Sequence, residues 1–484
     1  MSPLLVLTVI AAYFAALFLV SHLAGRHADN QGFFIGNRKS SWYVVAFAMI
    51  GSSISGVTFI SVPGWVSSTG FSYLQMVLGF VAGQFIIAFV LIPLFYRMNL
   101  ISIYGYLSNR FGRATHKTGV WFFFISKMLG ASVRLFLVCV VFQLLVFEPL
   151  KLPFALNVVF SVSLVWLYTV KGGVKSLIWT DTLKTCCLIV SVVLCICYIS
   201  SALGFGFADM LAAIGNHEYS ETFFFDDFND RRFFFKQFLA GVFTSIATTG
   251  LDQDMMQRNL SCKNFREAQK NMMTSSILQF FVISMFLMLG VLLYIFADRN
   301  GVHPEKSDEL FPMIATQGYF PVIVGVLFVL GVISSAYSAA GSALTSLTTS
   351  FTVDILESTQ KKDDAGVLKT RKRVHAGMAA TMGAAIILFN LLNNTNVVDA
   401  VYILASYTYG PILGMFAFGI FTKKQVRGRY IPLVALVAPV LCFVLQKNSA
   451  AWFNGYKFSY ELLIFNALFT FIGFYIVAWK KRRF

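Results

Sequence analysis

Residues 46–66 read AFAMIGSSISGVTFISVPGWV, an apolar segment long enough to cross a lipid bilayer. Its centre is polar and glycine-rich, with Gly51, Ser52, Ser53, Ser55 and Gly56 close together. Glycine and serine weaken a helix at this point, and backbone carbonyls released by a broken intramembrane helix can bind a cation. Close packing of small residues against a neighbouring helix is the alternative explanation of such a cluster.

A second segment has the same character. Residues 240–254 read AGVFTSIATTGLDQD and carry Thr248, Thr249 and Gly250 at a comparable interruption, five apolar segments further along the chain. Secondary transporters are often built from two inverted repeats whose first helices are both interrupted near the middle of the membrane. The spacing therefore predicts a five-plus-five inverted repeat, over residues 41–203 and 235–422, and favours transport over helix packing alone.

The composition is that of a membrane protein. Of the 484 residues, 57% are hydrophobic and 12% are charged, whereas soluble proteins carry about 25% charged residues. We predict an all-α polytopic membrane protein with about thirteen transmembrane helices, because a helix of roughly 20 apolar residues crosses a bilayer. The predicted spans are residues 2–24, 41–66, 73–98, 118–148, 153–170, 176–203, 235–252, 270–297, 317–354, 374–392, 397–422, 429–446 and 459–480.

Lysine and arginine are distributed unevenly between the two sides of the predicted bundle. Of the 38 basic residues, 27 lie in one set of alternate loops and the C-terminal tail, and 8 lie in the opposite set. The positive-inside rule then predicts a multi-pass protein of the plasma (inner) membrane, with the N-terminus outside and the C-terminus cytoplasmic. This topology accounts for the net charge of +16 without a nucleic-acid partner.

Outside the two repeats, the chain divides into three peripheral parts. Residues 1–40 are predicted as a first helix with a cytoplasmic loop, and the helix is retained because no basic residue precedes its apolar run, as a cleaved signal peptide would require. Residues 204–234 are predicted as an acidic extracellular loop. Residues 423–484 are predicted as two peripheral C-terminal helices and a basic tail.

Two charged side chains fall inside the predicted span 176–203. Asp181 and Lys184 are three residues apart and share one helical face. A charge within the membrane is costly and normally marks a pathway for ions or substrate, and an ion pair satisfies both groups better than either alone. The alternative for Lys184 is that its long side chain extends to the cytoplasmic interface.

The predicted span 118–148 carries two more cations. Arg134 lies about 24 Å along this helix, near or beyond the midplane, and a planar guanidinium is suited to bind a carboxylate bidentately. The alternative is that Arg134 binds backbone carbonyls or a distant acid. Lys127 can reach the inner interface or pair with an acid, and we interpret Asp252, Asp254 and Arg258 as an ion-pair cluster at an inner gate.

Five stretches of the chain together resemble the sodium/solute symporter family, which includes sodium-coupled sugar, proline, iodide and sialic acid transporters. They are SSISGVTFISVPG (52–64), GGVKSLIWTD (172–181), TTGLDQDMMQR (248–258), SAYSAAGSALTSLTTSFTVDI (335–355) and ASYTYGPILG (405–414), and they occur in the family's order. The resemblance implies a leucine-transporter-like inverted-repeat core with thirteen or fourteen helices. It also implies alternating access driven by a sodium gradient.

The same resemblance implies where the coupling ion binds. The main sodium site uses backbone carbonyls of Gly51, Ile54 and Ser335 and hydroxyls at positions 338 and 339, and hard cations prefer such oxygen ligands. In members with a second sodium site, an aspartate matching Asp181 binds the ion together with serines of the span 317–354. The serines that match here are Ser338 and Ser342.

Three positions depart from the family pattern. Ala339 offers no hydroxyl, Gly341 stands where relatives place a polar residue, and Lys184 stands where relatives often have glutamine. We hypothesise that Lys184 has taken over the role of one cation. Transport is then coupled to one sodium ion, to protons through this lysine, or to neither.

Resemblance to the sialic acid members also suggests a substrate site. In those members an arginine on the helix matching 118–148 binds the substrate carboxylate, and three hydroxyls of the first core helix assist it. Polar positions near the breaks and in the cavity wall complete the prediction. The predicted substrate-binding residues are Ser53, Ser55, Thr58, Gln75, Arg134, Thr248 and Thr249.

These observations predict a secondary active transporter that couples sodium to the movement of a small polar solute, with a carboxylate such as sialic acid or another sugar acid as the leading candidate. The alternative is a proton-coupled or sodium-independent transporter in which Lys184 replaces a sodium ion. Enzyme motifs are not recognisable in a suitable context, so the sequence does not favour an enzyme. A channel would be expected to form a symmetric oligomer, whereas this chain carries its predicted repeat internally. We expect no cofactor other than the coupling ion.

Overall fold

The computed structural model describes residues 3–26, 29–54, 56–170, 173–304, 306–316, 318–361, 363–392, 397–453, 455–456, 458 and 460–479. This part of the chain is almost entirely helical. A two-stranded antiparallel sheet, β1 (Gln425–Val426) with β2 (Ala478–Trp479), is the one sheet within the described ranges. It joins the segment that follows residue 421 to the end of the last described helix.

The helices follow one another with short connections. The α-helices are α1 (Pro3–Gly25), α2 (Asn30–Ile35), α3 (Trp42–Ser53), α4 (Gly56–Thr69), α5 (Tyr73–Ile86), α6 (Ile92–Arg97), α7 (Gly105–Phe111), α8 (Arg113–Phe142), α9 (Phe154–Thr169), α10 (Gly173–Ala202), α11 (Phe207–Gly215), α12 (Phe234–Ser245), α13 (Gln253–Asn259), α14 (Phe265–Asn300), α15 (Leu310–Thr316), α16 (Val322–Ser350), α17 (Ser358–Lys361), α18 (Asp364–Leu392), α19 (Val397–Phe421), α20 (Ile431–Trp452) and α21 (Leu462–Ile476). Single π-helical turns occupy Ile87–Leu91, Gln143–Phe147, Ile246–Gly250 and Phe351–Ile355.

The apolar spans confirm a multi-pass membrane protein. Nine described helices are long and apolar enough to cross a bilayer, or ten if a bent pair of helices counts as one span. The remaining three predicted segments, 153–170, 235–252 and 459–480, are also helical where described but shorter. The count of thirteen membrane crossings stays a prediction.

Both predicted interruptions are present. α3 ends at Ser53, Ile54 has an extended backbone, and the helix that follows is inclined to α3 by 59°. In the second case α12 passes into the π-helical turn Ile246–Gly250, and Asp252 is extended before α13 begins. The local composition thus predicted where the two helices break.

The centre of the bundle is formed by α10 and α16, which pack against each other and against α3 and α8. Residues 331–350 of α16 are all buried. Many are serines and threonines whose hydroxyls donate to the carbonyl one turn earlier, as Thr348 does to Leu344 at 2.7 Å. This bonding satisfies polar side chains that a helix buried on all sides has no water to hydrate.

Glycines allow the helices around the cavity to approach closely. α5 and α12 cross at Gly79 and Gly241, where a Cβ on either glycine would overlap the backbone of the opposite helix. Small residues at a membrane-helix crossing bring the two backbones into direct van der Waals contact. This crossing holds the second broken helix against the wall of the central cavity.

Candidate functional site

A cavity of about 140 Å³ lies between the two broken helices and the long helices α8 and α16. Hydroxyl and amide groups make up much of its wall. The polar residues that line it are Ser52, Ser53, Thr58, Tyr73, Gln84, Ser126, Lys127, Arg134, Thr244, Ser245, Thr248, Thr249, Asp252, Gln279 and Tyr409. Such a mixture of hydroxyls, amides and charges in a concave site suits a small polar ligand.

The two cations of α8 differ in their partners. Lys127 is buried, and its amine lies 3.1 Å from Asp252 Oδ2 and 2.7 Å from Asp254 Oδ2. Arg134 is half-buried, and no described residue forms a hydrogen bond or an ion pair with it. Of the described residues that line the cavity, Arg134 is therefore the cation available to an anionic ligand.

The bottom of the cavity is closed by Asp252 and its partners. The carboxylate accepts a hydrogen bond from the phenol of Tyr409 in addition to those from Lys127. Its Oδ1 also accepts the backbone N–H of Asp254 at 2.8 Å, which caps α13. Asp252 thus joins α8, α13 and α19 at the point where the second broken helix resumes.

Asp181 lies beside this region and is fully buried. Its Oδ1 accepts from Lys184 Nζ at 3.2 Å and from Ser338 Oγ at 2.9 Å. Its Oδ2 accepts from Arg258 Nη2 at 2.8 Å and from Ser52 Oγ at 3.2 Å. Both carboxylate oxygens therefore hold protein donors, two of them cationic.

The side chain of Lys184 is 1% exposed, so the interpretation that it extends to the cytoplasmic interface is wrong. Its amine also lies 3.2 Å from the phenolic oxygen of Tyr168 and 3.4 Å from the carbonyl of Tyr337. A Cβ at position 341 would overlap the same phenol, so Gly341 leaves the space that Tyr168 fills. The departure from the family pattern at Gly341 thereby gains a steric reason.

The ion pairs join into one continuous chain. In order it runs Lys184, Asp181, Arg258, Asp254, Lys127 and Asp252. All six side chains are less than 10% exposed, and with every group ionised their charges cancel. We call this set the charge chain; it links α10, α13 and α8 across the bundle. Removing one member would leave an uncompensated buried charge, which costs about 3–5 kcal/mol.

The predicted residues of the main sodium site lie close to the first break. Gly51 is in the last turn of α3 and Ile54 is its C-cap, a position where helix carbonyls have no partner within the helix. Ser335 lies on α16, and Ser338 donates its hydroxyl to Asp181. Ser342 bonds the carbonyl of Ser338 at 2.7 Å and also contacts Arg258.

Five of the seven predicted substrate residues line the cavity, one lies outside the described residues, and one lies elsewhere in the bundle. Ser53, Thr58, Arg134, Thr248 and Thr249 are in its wall. Ser55 lies outside the described residues.

Gln75 is fully buried outside the cavity wall, and its amide is used elsewhere: Nε2 donates to the carbonyl of Arg232 at 2.7 Å, and Oε1 accepts from the backbone of Phe224 at 3.2 Å. The structure therefore places Gln75 beneath the loop 204–234, where it anchors that loop.

Sequence reasoning missed two side chains at the site. Arg258 was placed only with the acids of α13, although its Nη2 reaches Asp181, 77 residues earlier. Tyr168, at the end of α9, was not recognised at all. Neither contact has a local sequence signal, because both depend on how separate helices pack.

Comparison with known proteins adds the family context. The model of the "Sodium:solute symporter family" matches residues 33–428. The sodium/sialic acid symporter NanT of Aliivibrio fischeri is 24% identical over 89% of this chain and 86% of its own length. The mouse sodium-coupled monocarboxylate transporter 2 is 24% identical over 84% of this chain and 67% of its own.

A solved structure has the same fold. It is that of a sodium-coupled sialic acid symporter in a substrate-bound, outward-open state, with a TM-score of 0.83, 17% identity and coverage of 98% of this chain and 99% of that chain. The broken helices, the motifs around them and the match over residues 33–428 agree. The chain belongs to the sodium:solute symporter family.

Proposed function

We propose that this member of the family couples one sodium ion to the uptake of a small carboxylate solute by alternating access. The observation that carries the proposal is Arg134, a cation of the cavity wall without a partner among the described residues. A half-buried guanidinium without a counter-ion favours an anionic ligand, and its planar donor pair matches a carboxylate. Sialic acid and other sugar acids are the leading candidates.

The hydroxyl-rich wall supports a polyhydroxylated solute. Ser53 and Thr58 lie on the two sides of the first break, and Thr248 and Thr249 lie in the π-helical turn of the second. These groups can donate to, and accept from, the hydroxyls of a sugar acid. The relatives' names, sialic acid in one case and monocarboxylates in the other, agree with a carboxylate as the shared feature.

For the coupling ion, we propose the carbonyls of Gly51, Ile54 and Ser335 with the hydroxyl of Ser338. Helix-end carbonyls beside a break are suited to a hard cation. Ser342 and Asp181 are the remaining members of the predicted set, and both already hold protein donors. Ala339 contributes no hydroxyl, so we expect this site to bind sodium weakly.

A specific observation favours a second element of the proposal, that Lys184 stands in for a further sodium ion. Its amine is a fixed positive charge 3.2 Å from Asp181, and Arg258 holds the other oxygen of the same carboxylate. The family's second sodium position is then occupied by protein cations. If the main site also fails to bind sodium, the alternative is a proton-coupled or sodium-independent transporter.

The proposed transporter has the architecture that the sequence predicts. It has thirteen membrane helices, an inverted repeat over residues 41–203 and 235–422, and the N-terminus outside the plasma (inner) membrane. Opening toward the inside then requires α13 to move away from α8 and α10, so the charge chain acts as the inner gate. Family membership and the two broken helices support this arrangement.

The test is uptake into proteoliposomes with and without an inward sodium gradient. Labelled sialic acid, sugar acids, short monocarboxylates and neutral sugars form the panel. We expect sodium-stimulated uptake of an acid and no uptake of the corresponding neutral sugar. Sodium-stimulated uptake of neutral sugars alone would refute the role of Arg134, and uptake that follows pH rather than sodium would establish the alternative coupling.

A further inference from the structure

A groove of about 450 Å³ lies on the outside of the bundle between α9 and α18, well away from the central cavity. One side of the groove is formed by five small residues of α18, Ala376, Ala379, Ala380, Gly383 and Ala384. Valines of α9 and the indole of Trp166 form the other side. The lining is almost wholly apolar, so in a membrane this groove faces hydrocarbon.

The groove runs along the axes of α9 and α18, and its length is close to the thickness of one hydrocarbon leaflet. α9 and α18 are antiparallel: Thr169 bonds His375 at 2.9 Å near one end, and Val158 and Val162 lie 3.9 Å from a Cβ built on Gly383 further along. From Ala376 to Ile387 the helix rises about 16 Å. Half of a hydrocarbon core of roughly 30 Å is about the same length.

The end of the groove beyond Ala376 is basic. Lys369, Lys372 and Arg373 are exposed and precede the groove on the same helix. At 3.6 residues per turn they fall on the face that carries Ala376 and Ala380. None of the three forms an ion pair with a described residue. A cluster of cations thus stands where the polar region of the membrane begins.

Trp166 places its indole ring against the groove at that end. The indole N–H is shielded from solvent and has no hydrogen-bond partner among the described residues, so the ring serves as an apolar contact for an acyl chain and not as a donor to a headgroup. The three cations beside an apolar groove favour one kind of ligand, an anion attached to an apolar chain.

We propose that this groove binds an anionic glycerophospholipid, with one acyl chain between α9 and α18 and its phosphate against Lys369, Lys372 and Arg373. A helix of a second copy fits less well, because an α-helix about 10 Å across would occupy well over roughly 1,000 Å³ along the same length. The groove lies on α18, which packs on both α8 and α16. A lipid bound there stabilises helices that hold the transport cavity.

Fluorescence quenching by brominated lipid tests the proposal without any transport assay. The purified protein is placed in phosphatidylcholine vesicles that contain brominated phosphatidylglycerol, or the same fraction of brominated phosphatidylcholine. The signal of Trp166 is the difference between the natural chain and Trp166→Phe. We expect phosphatidylglycerol to be preferred over phosphatidylcholine, by roughly fivefold for each engaged basic residue.

Two sets of variants locate the site. The triple change Lys369→Gln, Lys372→Gln, Arg373→Gln should abolish the preference, because it removes the charges that attract the phosphate. The matched control, Lys263→Gln, Arg266→Gln, Lys270→Gln, removes three exposed charges at the start of α14 and should leave the preference intact. Ala380→Leu fills the groove and should reduce quenching by both lipids.

Other outcomes would overturn the proposal. Equal quenching by the two lipids, unchanged in the basic triple variant, would mean that the groove holds only non-specific boundary lipid. A smaller particle mass for Ala380→Leu in detergent, with no lipid preference in the natural chain, would instead identify a second copy of the chain as the occupant.

Discussion

At the residue scale, the site is distinguished by two small residues of α16, Gly341 and Ala339. Gly341 leaves room for the phenol of Tyr168, which helps hold the amine of Lys184 against Asp181. Ala339, which lines the cavity, has no hydroxyl where the resemblance to the family places a sodium ligand. In the function proposed above the two positions act together, because a protein cation occupies one ion position while the other has one ligand fewer.

The packing of Gly341 can be tested by Gly341→Ser. The new Cβ overlaps the buried phenol of Tyr168, so we expect a loss of about 1–3 kcal/mol in the free energy of unfolding, measured as thermal unfolding in detergent. Gly377→Ser, at a position with nothing within 4 Å, is the matched control and should change stability by no more than about 0.5 kcal/mol. When Tyr168→Ala is also present, Gly341→Ser should lower the free energy of unfolding by less than it does in the natural chain. Strictly additive effects of the two substitutions would contradict the steric explanation.

Restoring a hydroxyl by Ala339→Ser should strengthen sodium binding about threefold to tenfold, the worth of one added polar contact. The half-saturating sodium concentration for uptake, or for a sodium-dependent rise in Tm, measures the change. Ala343→Ser, one turn further along the cavity wall, is the control and should leave the sodium dependence as it is. An equal effect of both serines would show that the hydroxyl acts through general polarity and not as a ligand.

Arg134→Ala should lower kcat/KM for a carboxylate substrate at least about thirtyfold, because the substrate loses a hydrogen-bonded charge partner in a half-buried site. Arg134→Lys keeps the charge without the bidentate donors and should recover only part of the activity. The kcat/KM of each variant is measured from the concentration dependence of uptake, with equal amounts of protein that thermal unfolding shows to be folded. An unchanged carboxylate KM in the alanine variant would remove Arg134 from the substrate site.

At the scale of elements, α8, α10 and α13 are joined by the charge chain. α13 contributes Asp254 and Arg258, one turn apart, so a single short helix carries the two central members. The pairs extend from there to α8 and to α10. Because α13 follows the second break, movement of that short helix opens pairs on both sides at once.

Asp254→Asn leaves Lys127 and Arg258 without their shared carboxylate and should cost about 3–5 kcal/mol of stability. Adding Lys127→Gln restores a neutral chain and should recover a large part of the loss. The pair of Arg113 with Glu357 supplies the control: Arg113 is 75% exposed and Glu357 keeps its second partner, Lys117, so Arg113→Gln should cost at most about 1 kcal/mol. Thermal unfolding of the natural chain, of Asp254→Asn, of Lys127→Gln, of the double variant and of the control compares these effects; a double variant as unstable as the sum of the two single variants would contradict a coupled chain.

Local sequence signals predicted the elements better than their contacts. The glycine and serine cluster at 51–56 and the threonines at 248–249 predicted the two breaks, because the stability of a helix depends on its local composition. The pairing of Arg258 with Asp181 was not predictable, since it depends on the packing of α10 against α13. Gln75 was placed in the cavity wall because a polar residue in an apolar span suggests a ligand, whereas its burial beneath the loop 204–234 is a tertiary effect.

At the scale of the whole molecule, the described cavity wall holds one arginine without a partner, and a neutral chain of buried charges joins α8, α10 and α13 beside it. The protein belongs to a sodium-coupled family, and its departures from the family pattern concern the ions more than the cavity. We therefore predict a reduced number of coupling ions, with Lys184 and Arg258 occupying the position of one.

Equilibrium binding of radioactive sodium to the purified protein tests that central claim most directly, because it needs no knowledge of the solute. We predict saturation at one sodium ion per chain, with tighter binding but the same stoichiometry in Ala339→Ser. Binding of two sodium ions per chain would show that Asp181 still holds an ion despite Lys184 and Arg258. Absence of saturable binding would show that sodium is not the coupling ion of this transporter.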